Sequence, residues 1–153
     1  MGKIKTLTSL KSLISKLKRQ GKKIVFTNGC FDLIHPGHIK IFKEAKKKGD
    51  ILVVGINSDS SIKQIKPQGR PVQDEGARTK ILEAIETIDF VTVFNERTPY
   101  NLINAIKPDI LVKGDDWGKK EIIGADLVKK VYRIKLYPGH STTNIIKKIK
   151  KSD

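Results

Sequence analysis

Continuously apolar segments alternate with helical patterns along this 153-residue chain. A strand that is apolar at every position is buried on both faces, and strands that are separated by helices run parallel to one another. The predicted strands are 24–27, 51–56, 90–94, 109–113 and 131–136. The alternation therefore predicts an α/β fold, with a single domain built on a doubly wound parallel sheet of about five strands.

Helices are predicted wherever apolar residues recur at intervals of three and four between the strands. The first helix contains Leu10 and Leu17, with Thr8 or Ser9 as its cap and Gly21 as its stop. The other helices are expected at 37–48, 59–64, 74–87 and 98–107, with a weaker one over 121–130 and a last one after Ser141. Because ligands of such a sheet bind at the carboxyl ends of its strands, the segments that follow strands are the candidate sites.

The net charge of +15 comes mostly from lysines that are spread along the chain. Nucleic-acid-binding proteins usually combine arginine with aromatic residues, whereas this chain has five arginines and 6% aromatic residues. A solvated, lysine-rich surface is therefore favoured over a nucleic-acid interface. Part of the excess charge could still concentrate a small polyanionic substrate.

No run of 18 apolar residues and no apolar signal-peptide core occurs in the sequence, so neither a membrane span nor secretion is predicted. Cys30 is the one cysteine, which excludes an intramolecular disulfide and fits a reducing, cytoplasmic environment. A small buried residue is favoured for Cys30 over a nucleophile, since no nearby feature supplies a base.

Two histidines, His35 and His38, follow the first predicted strand and a glycine-containing turn. Because they are three positions apart at the start of a predicted helix, their side chains point the same way. The backbone N–H groups at a helix start are unpaired. Such a place attracts phosphate, and imidazoles add donors for charge that develops on a transferring phosphate. The alternative is that one histidine caps the helix and the other is solvated. The register of the pair favours a catalytic phosphate site.

Three hydroxyl residues precede the last predicted helix, at Ser141, Thr142 and Thr143. Ordinary capping needs one hydroxyl, so three of them favour a second phosphate-binding helix start. Lys66 lies in a loop rich in proline and glycine, where a flexible cation could close over a polyphosphate. The segment Asp115-Asp116-Trp117 follows the fourth strand and could hold a base or a ribose hydroxyl, or equally form a turn with a packed indole.

Residues 27–38, Thr-Asn-Gly-Cys-Phe-Asp-Leu-Ile-His-Pro-Gly-His, resemble the signature of the cytidylyltransferase-like nucleotidyltransferases with its HxGH motif. Residues 141–146 resemble the second, C-terminal phosphate-binding motif of that superfamily. The match extends over about residues 22–150. It implies a Rossmann-like nucleotidyltransferase domain over 22–153, preceded by an N-terminal helical extension over 1–21.

Within the superfamily, the segments that most resemble the heptose 1-phosphate adenylyltransferases are 54–59, 69–72, 98–99 and 108–114. Those enzymes occur as single domains or as the C-terminal half of a bifunctional kinase–adenylyltransferase. Residues 114–117 are instead more similar to glycerol-3-phosphate cytidylyltransferase. The arginine that the cytidylyltransferase carries ahead of its serine–threonine motif has no counterpart in residues 136–140.

The resemblance implies transfer of AMP from ATP to a sugar 1-phosphate, with heptose 1-phosphate as the expected acceptor and ADP-heptose and pyrophosphate as products. The alternative is cytidylyl transfer from CTP to glycerol 3-phosphate, which makes CDP-glycerol. Mg²⁺ is expected as a counterion that the triphosphate mainly carries, with no metal site on the protein. The resemblance also implies a homodimer.

Site residues are assigned on the same resemblance. His35 and His38 are expected to donate hydrogen bonds to the triphosphate, and Lys66 is expected to neutralise it, so these three are the predicted catalytic residues. The residues expected to bind the nucleotide are Thr27, Asn28, Gly29, Phe31, Asp32, Gly37, Asn57, Asp115, Ser141, Thr142 and Thr143.

Overall fold

The computed structural model describes residues 2–115, 121–136 and 140–152. Its five parallel strands are β1 (Ile24–Gly29), β2 (Ile51–Asn57), β3 (Phe90–Phe94), β4 (Ile110–Gly114) and β5 (Lys130–Ile134). Its helices are α1 (Leu7–Arg19), α2 (Pro36–Lys46), α3 (Asp59–Ile65), α4 (Glu75–Glu83), α5 (Tyr100–Ile106) and α6 (Thr142–Lys151). The predicted Rossmann-like α/β fold is confirmed.

The sheet has the strand order β3-β2-β1-β4-β5. The chain moves outward from β1 through β2 to β3, and it then crosses back to place β4 on the other side of β1. The pairing between β1 and β4 joins Val25 to Ile110 and Phe26 to Leu111, whereas β1 itself runs on to Gly29. Because the chain continues from β1 to one side and returns to its other side at β4, the strand order reverses between the carboxyl ends of β1 and β4. Sheets of this kind bind ligands at that point.

Two apolar clusters cover the two faces of the sheet. Val25 packs in one cluster with Phe42 of α2, while its neighbour Phe26 packs in the other with Leu102 of α5. All four side chains are almost fully buried, as expected for a strand that is apolar at successive positions. The helices therefore lie on both faces, as the doubly wound pattern predicts.

Residues before β1 pack onto the same sheet. The Val91 amide in β3 donates to the Lys3 carbonyl and the Lys5 amide donates to the Val91 carbonyl, so this segment pairs with the outer edge of β3. Helix α1 then packs against α5 and buries Leu10 and Ile14 in the apolar cluster that contains Phe26 of β1. The N-terminal helix thus supplies part of the apolar core.

The weak helix predicted over 121–130 is wrong, since the structure forms only a 3₁₀ turn there, at Ala125–Leu127. Gly124 adopts a left-handed conformation with φ of 89°, and a Cβ atom on it would lie 2.7 Å from Ile103 Cδ1. The close approach to α5 and the left-handed turn together interrupt any helix at this point.

Helix boundaries also differ from the predictions, for example in α1 and α4. Helix α1 begins earlier, because the Thr6 hydroxyl rather than Thr8 or Ser9 is the cap and accepts a hydrogen bond from the Ser9 amide. Helix α4 ends at Glu83 rather than at 87, because the chain is already joined to the sheet where the Asp89 amide donates to the Leu52 carbonyl. Within the described ranges, no helix is both long and apolar enough to cross a membrane.

The packing of α1 predicts unequal costs for two matched substitutions. Leu10→Ala removes a fully buried side chain and should lower the free energy of unfolding by about 2–5 kcal/mol. Leu7→Ala on the same helix removes a side chain that is 41% exposed and should cost less than about 1 kcal/mol. Urea denaturation followed by circular dichroism measures both values. An equally small cost for Leu10→Ala would show that α1 is not part of the core.

Candidate active site

A cleft of about 500 Å³ lies at the carboxyl edge of the sheet. It is lined by segments that follow β1, β2, β3 and β4, and by the start of α6. Apart from Asp115, every residue predicted for the site contributes to its lining, namely Thr27, Asn28, Gly29, Phe31, Asp32, His35, Gly37, His38, Asn57, Lys66, Ser141, Thr142 and Thr143. The structure therefore brings the separate sequence motifs together in one cleft.

Glycines at the end of β1 and the start of α2 make room for aromatic rings. Phe31 has a φ of 49°, and its ring folds back so that a Cβ atom on Gly29 would lie 3.0 Å from Phe31 Cζ. The same ring packs edge-on against His38, with 5.2 Å between centroids. On Gly37, a Cβ atom would lie 2.9 Å from His35 Cε1. Gly29, Phe31 and Gly37 thus shape the wall that holds the histidine pair.

His35 and His38 cap the helix that they begin. Nδ1 of His35 accepts a hydrogen bond from the Gly37 amide at 3.1 Å, and Nδ1 of His38 accepts one from the His35 amide at 3.3 Å. A neutral imidazole that accepts at Nδ1 carries its proton on Nε2. Both rings are stacked with 3.8 Å between centroids. The backbone therefore selects the tautomer in which each Nε2–H is the donor.

His38 is electrically neutral near pH 7. Burial, and to a lesser extent repulsion from a charge on the adjacent His35, together lower the pKa of His38 to about 3. In this site His38 is a hydrogen-bond donor and not a cation. Positive charge must come from other side chains.

Asp32 fixes the loop between α3 and α4. It is 2% exposed, and its carboxylate accepts hydrogen bonds from the amides of Val72 at 2.8 Å and Gln73 at 2.9 Å. Arg70 in this loop lies 3.9 Å from the same carboxylate and donates from Nη2 to the Thr143 hydroxyl at 3.3 Å. Asp32 therefore places Arg70 between the β1 exit and α6.

The start of α6 lies beside the start of α2. The Ser141 hydroxyl caps α6 by accepting from the Asn144 amide at 3.0 Å, and the Thr142 hydroxyl donates to the Leu33 carbonyl at 3.2 Å. Each helix N-terminus carries a partial positive charge from its unpaired amides. Two such ends that meet in one cleft favour an anion with several charged oxygens.

Lys113 is a cleft residue that the sequence predictions missed. It is the penultimate residue of the buried strand β4 and is 8% exposed. Its Nζ donates to the carbonyl and the side-chain oxygen of Asn28 at 2.9 and 3.0 Å. A lysine inside an otherwise apolar strand was the available signal, because a buried ammonium needs hydrogen-bond acceptors. The described lining residues therefore include one carboxylate, that of Asp32, and four cations, namely Lys66, Arg70, Arg97 and Lys113.

Arg78 was also missed, and nothing in its helical sequence context marks it. Its side chain is fully buried and donates to the carbonyls of Cys30 at 2.9 Å and Asn57 at 2.7 Å. It also forms an ion pair with Asp59 at 2.7 Å and donates to the Gln73 carbonyl at 3.0 Å. One guanidinium therefore joins the exits of β1 and β2 to the loop before α4.

Asn57 and Cys30 bond to each other inside the protein. The Cys30 thiol donates to Asn57 Oδ1 at 3.8 Å, and Asn57 Nδ2 donates to the Ser61 hydroxyl at 2.9 Å. Burial raises the pKa of the Cys30 thiol, more than the nearby positive charges lower it. A protonated thiol agrees with the interpretation of Cys30 as a small packed residue.

Asp115 occupies a different position from the other predicted site residues. Its carboxylate accepts a hydrogen bond from the Leu136 amide at 3.0 Å, which joins the end of β4 to the segment after β5. It does not line the cleft. The predicted contributions of Asp116 and Trp117 fall outside the described residues.

The described residues contain no group of three or more histidine, cysteine or acidic side chains that could hold a metal ion. The lining carboxylate, Asp32, is already bonded to two backbone amides. The protein groups in the described part of the cleft therefore offer few oxygen ligands for a divalent cation, and more donors for anionic oxygens.

Residues 26–148 match the family model described as cytidylyltransferase-like. The chain belongs to this family. That assignment and the prediction of a nucleotidyltransferase enzyme are thereby confirmed. The matched residues begin in β1 and end in α6, so they include the histidine pair and the hydroxyls at the start of α6.

Relatives of this cytidylyltransferase-like chain include "Bifunctional protein HldE" of Aliarcobacter butzleri, which is 46% identical over 98% of this chain and 32% of the relative. The chain thus spans about a third of that curated relative. A lipopolysaccharide core biosynthesis protein from Thermoplasma volcanium has 31% identity and a TM-score of 0.64 over 76% of this chain and 99% of its own. Pantoate-beta-alanine ligase from Francisella tularensis, with 17% identity and a TM-score of 0.66 over 100% of this chain and 80% of its own, shares the fold.

The neutral state of His38 can be tested by titration in the absence of ligand. In NMR spectra, the ring signal that disappears in His38→Asn should keep a constant chemical shift between pH 5 and 8, because its pKa lies near 3. The same protein unfolded in urea is the control, where histidine titrates with a pKa of about 6.5. A midpoint inside that pH range in the folded protein would contradict the assignment.

Proposed function

We propose that this chain transfers AMP from ATP to heptose 1-phosphate and forms ADP-heptose and pyrophosphate. The observation that carries the proposal is the cleft in which a pair of histidines with Nε2–H donors, two helix N-termini and four cationic side chains converge. The resemblance of residues 54–59 and 108–114 to heptose 1-phosphate adenylyltransferases supports the choice of substrates. The similarity to a lipopolysaccharide core biosynthesis protein also supports a sugar phosphate as the acceptor.

The triphosphate binds across the exits of β1 and β4 in this proposal. Thr142 and Thr143 hold its β- and γ-phosphates at the start of α6, where Arg70 already contacts Thr143. Lys66 and Lys113 supply further positive charge, and Thr27, Asn28 and Asn57 shape the floor. ATP enters as its magnesium complex, with the ion held mainly by phosphate oxygens.

The reaction needs no protein nucleophile. An oxygen of the acceptor phosphate forms a bond to the α-phosphorus, and the bond from that phosphorus to the bridging oxygen breaks, so that pyrophosphate leaves with the electron pair. The attacking oxygen is already anionic, so no general base is required. Catalysis consists of positioning the two substrates in line and stabilising the charge that develops on the transferred group.

His35 and His38 stabilise that developing charge. Their Nε2–H donors belong to neutral rings, which the Nδ1 hydrogen bonds to backbone amides hold in place before the substrate arrives. A fixed donor in a cleft with little water acts most strongly where charge increases, which is in the transition state.

A homodimer in the cytoplasm remains part of this proposal, and sedimentation velocity would measure the mass of the assembly.

A competition assay tests the substrates. Pyrophosphate release should be fastest with ATP and heptose 1-phosphate, and ATP should exceed CTP when both are present at equal concentration. Buried hydrogen bonds to the base decide such a preference, since leaving one unmade costs about 1–3 kcal/mol. A preference for CTP with glycerol 3-phosphate would transfer the assignment to the cytidylyltransferase alternative. The absence of pyrophosphate release from ATP or CTP with either heptose 1-phosphate or glycerol 3-phosphate would reject sugar-phosphate nucleotidyl transfer.

Two substitutions separate the capping role of His38 from its catalytic role. The side-chain oxygen of Asn can replace Nδ1 as the acceptor for the His35 amide, whereas Asn lacks a donor at the Nε2 position. His38→Asn should therefore keep the melting temperature close to that of the wild type and lower kcat about 10²–10³-fold. His38→Ala should lower both. Steady-state kinetics and thermal melting measure these effects, and a near-normal kcat for His38→Asn would exclude the catalytic role.

A further inference from the structure

The cleft continues beyond the histidine pair toward the exits of β2 and β3. Its lining on that side includes Ile65 and Lys66 at the end of α3, and Arg97, Thr98 and Pro99 between β3 and α5. The strand order places β2 and β3 on the opposite side of β1 from β4 and β5, the strand that α6 follows. The two ends of the cleft are therefore separated by the exit of β1.

The proposed reaction requires two anion sites at opposite ends of one line. In nucleotidyl transfer, as in phosphoryl transfer, the attacking and leaving oxygens lie on opposite sides of the phosphorus. If the start of α6 holds the leaving pyrophosphate and the histidines lie next to the α-phosphate, the acceptor phosphate must approach from the β2–β3 side. A cation at that end would hold it there.

Arg97 is the arginine at that end of the cleft. Its side chain is exposed, and it forms no hydrogen bond or ion pair with the residues that the structure describes. Arg70, in contrast, already contacts Asp32 and Thr143. A guanidinium presents paired donors that match the oxygens of a phosphate. Arg97 can thus accept an incoming phosphate without breaking a contact among the described residues.

The backbone that carries Arg97 is held by a buried hydrogen-bond relay. Asn57 Nδ2 donates to the Ser61 hydroxyl at 2.9 Å, and this hydroxyl donates to the Glu96 carbonyl at 2.7 Å. Ser61 is fully buried, and the Ser58 amide donates to the Phe94 carbonyl nearby at 2.9 Å. The residue directly before Arg97 is therefore fixed to the end of β2, while the Arg97 side chain remains available to a ligand.

We infer that Arg97 binds the phosphate of the acceptor substrate, and that the relay from Asn57 through Ser61 is its positioning device. The inference rests on the proposed function, because the in-line geometry of that reaction locates the second anion. It assigns the β3–α5 loop to the sugar phosphate and the start of α6 to the triphosphate. Substitutions at the two ends should therefore affect different substrates.

Steady-state kinetics of Arg97→Gln tests the assignment. The KM for the sugar phosphate should rise about 10- to 100-fold, since a charge-assisted contact is lost, and the KM for ATP should stay within about twofold. Arg97→Lys keeps the charge and should recover part of the loss. Arg19→Gln is the matched control. Arg19 is an exposed residue of α1 outside the cleft, so that its substitution removes the same charge and should change neither KM.

Ser61→Ala tests the relay without touching a ligand-binding group. It should raise the KM for the sugar phosphate several-fold while the KM for ATP stays unchanged, provided that thermal melting shows a folded protein. A general loss of structure would raise both constants together. Arg97→Gln with an unchanged acceptor KM, or with a raised KM for ATP alone, would overturn the inference.

Direct binding separates failure of this inference from failure of the proposed function. Calorimetry with a non-hydrolysable ATP analogue present measures the affinity of wild-type and Arg97→Gln protein for heptose 1-phosphate and for glycerol 3-phosphate. Weaker binding to the variant supports the Arg97 site even if the wild type releases no pyrophosphate. Equal binding to both proteins, or no binding of either phosphate ester to the wild type, would overturn it.

Discussion

The position of β1 between β2 and β4 is the constraint on which the site depends. Because the chain leaves β1 in one direction and later returns to its other side, the connections after β1 and β4 depart from each other and leave a cleft. The groups that bind substrates in the proposed mechanism reach this cleft from the carboxyl ends of strands, from the starts of α2 and α6, or from the α3–α4 and β3–α5 loops. Changes in loop chemistry could therefore alter the substrates without altering the sheet.

Three buried polar side chains give the rim of this cleft a fixed shape. Asp32, Arg78 and Lys113 each bond to backbone groups on another segment, so each joins two or more of the strand exits and the α3–α4 loop. A buried polar group without a partner is costly, and each of these therefore favours one arrangement of the loops. Donors that are fixed before substrate binding lose little energy to rearrangement during the reaction.

The periodicity of the sequence was sufficient for the fold, because strands that are buried on both faces leave a continuous apolar signature. It failed over 121–130, where the close approach of Gly124 to Ile103 is a tertiary contact that no local pattern encodes. The histidine pair and the hydroxyls of α6 could be found because their spacing has a local meaning at a helix start. Arg78 and Arg97 could not be found, since only their neighbours in space decide their positions. Arg78 joins separate loops by hydrogen bonds, and Arg97 lines the cleft.

In the proposed mechanism, the site divides binding and catalysis between two kinds of donor. The lysine and arginine side chains would attract the phosphates of the ground state and the transition state alike, so that they would mainly determine affinity. In that mechanism the Nε2–H donors of His35 and His38 interact more strongly with the phosphate as charge accumulates on its oxygens. The neutrality of His38 follows from its packing, because burial and the adjacent, stacked His35 ring both disfavour its protonated form. The packing around the cap of α2 therefore also sets the charge state of His38 that the proposed chemistry needs.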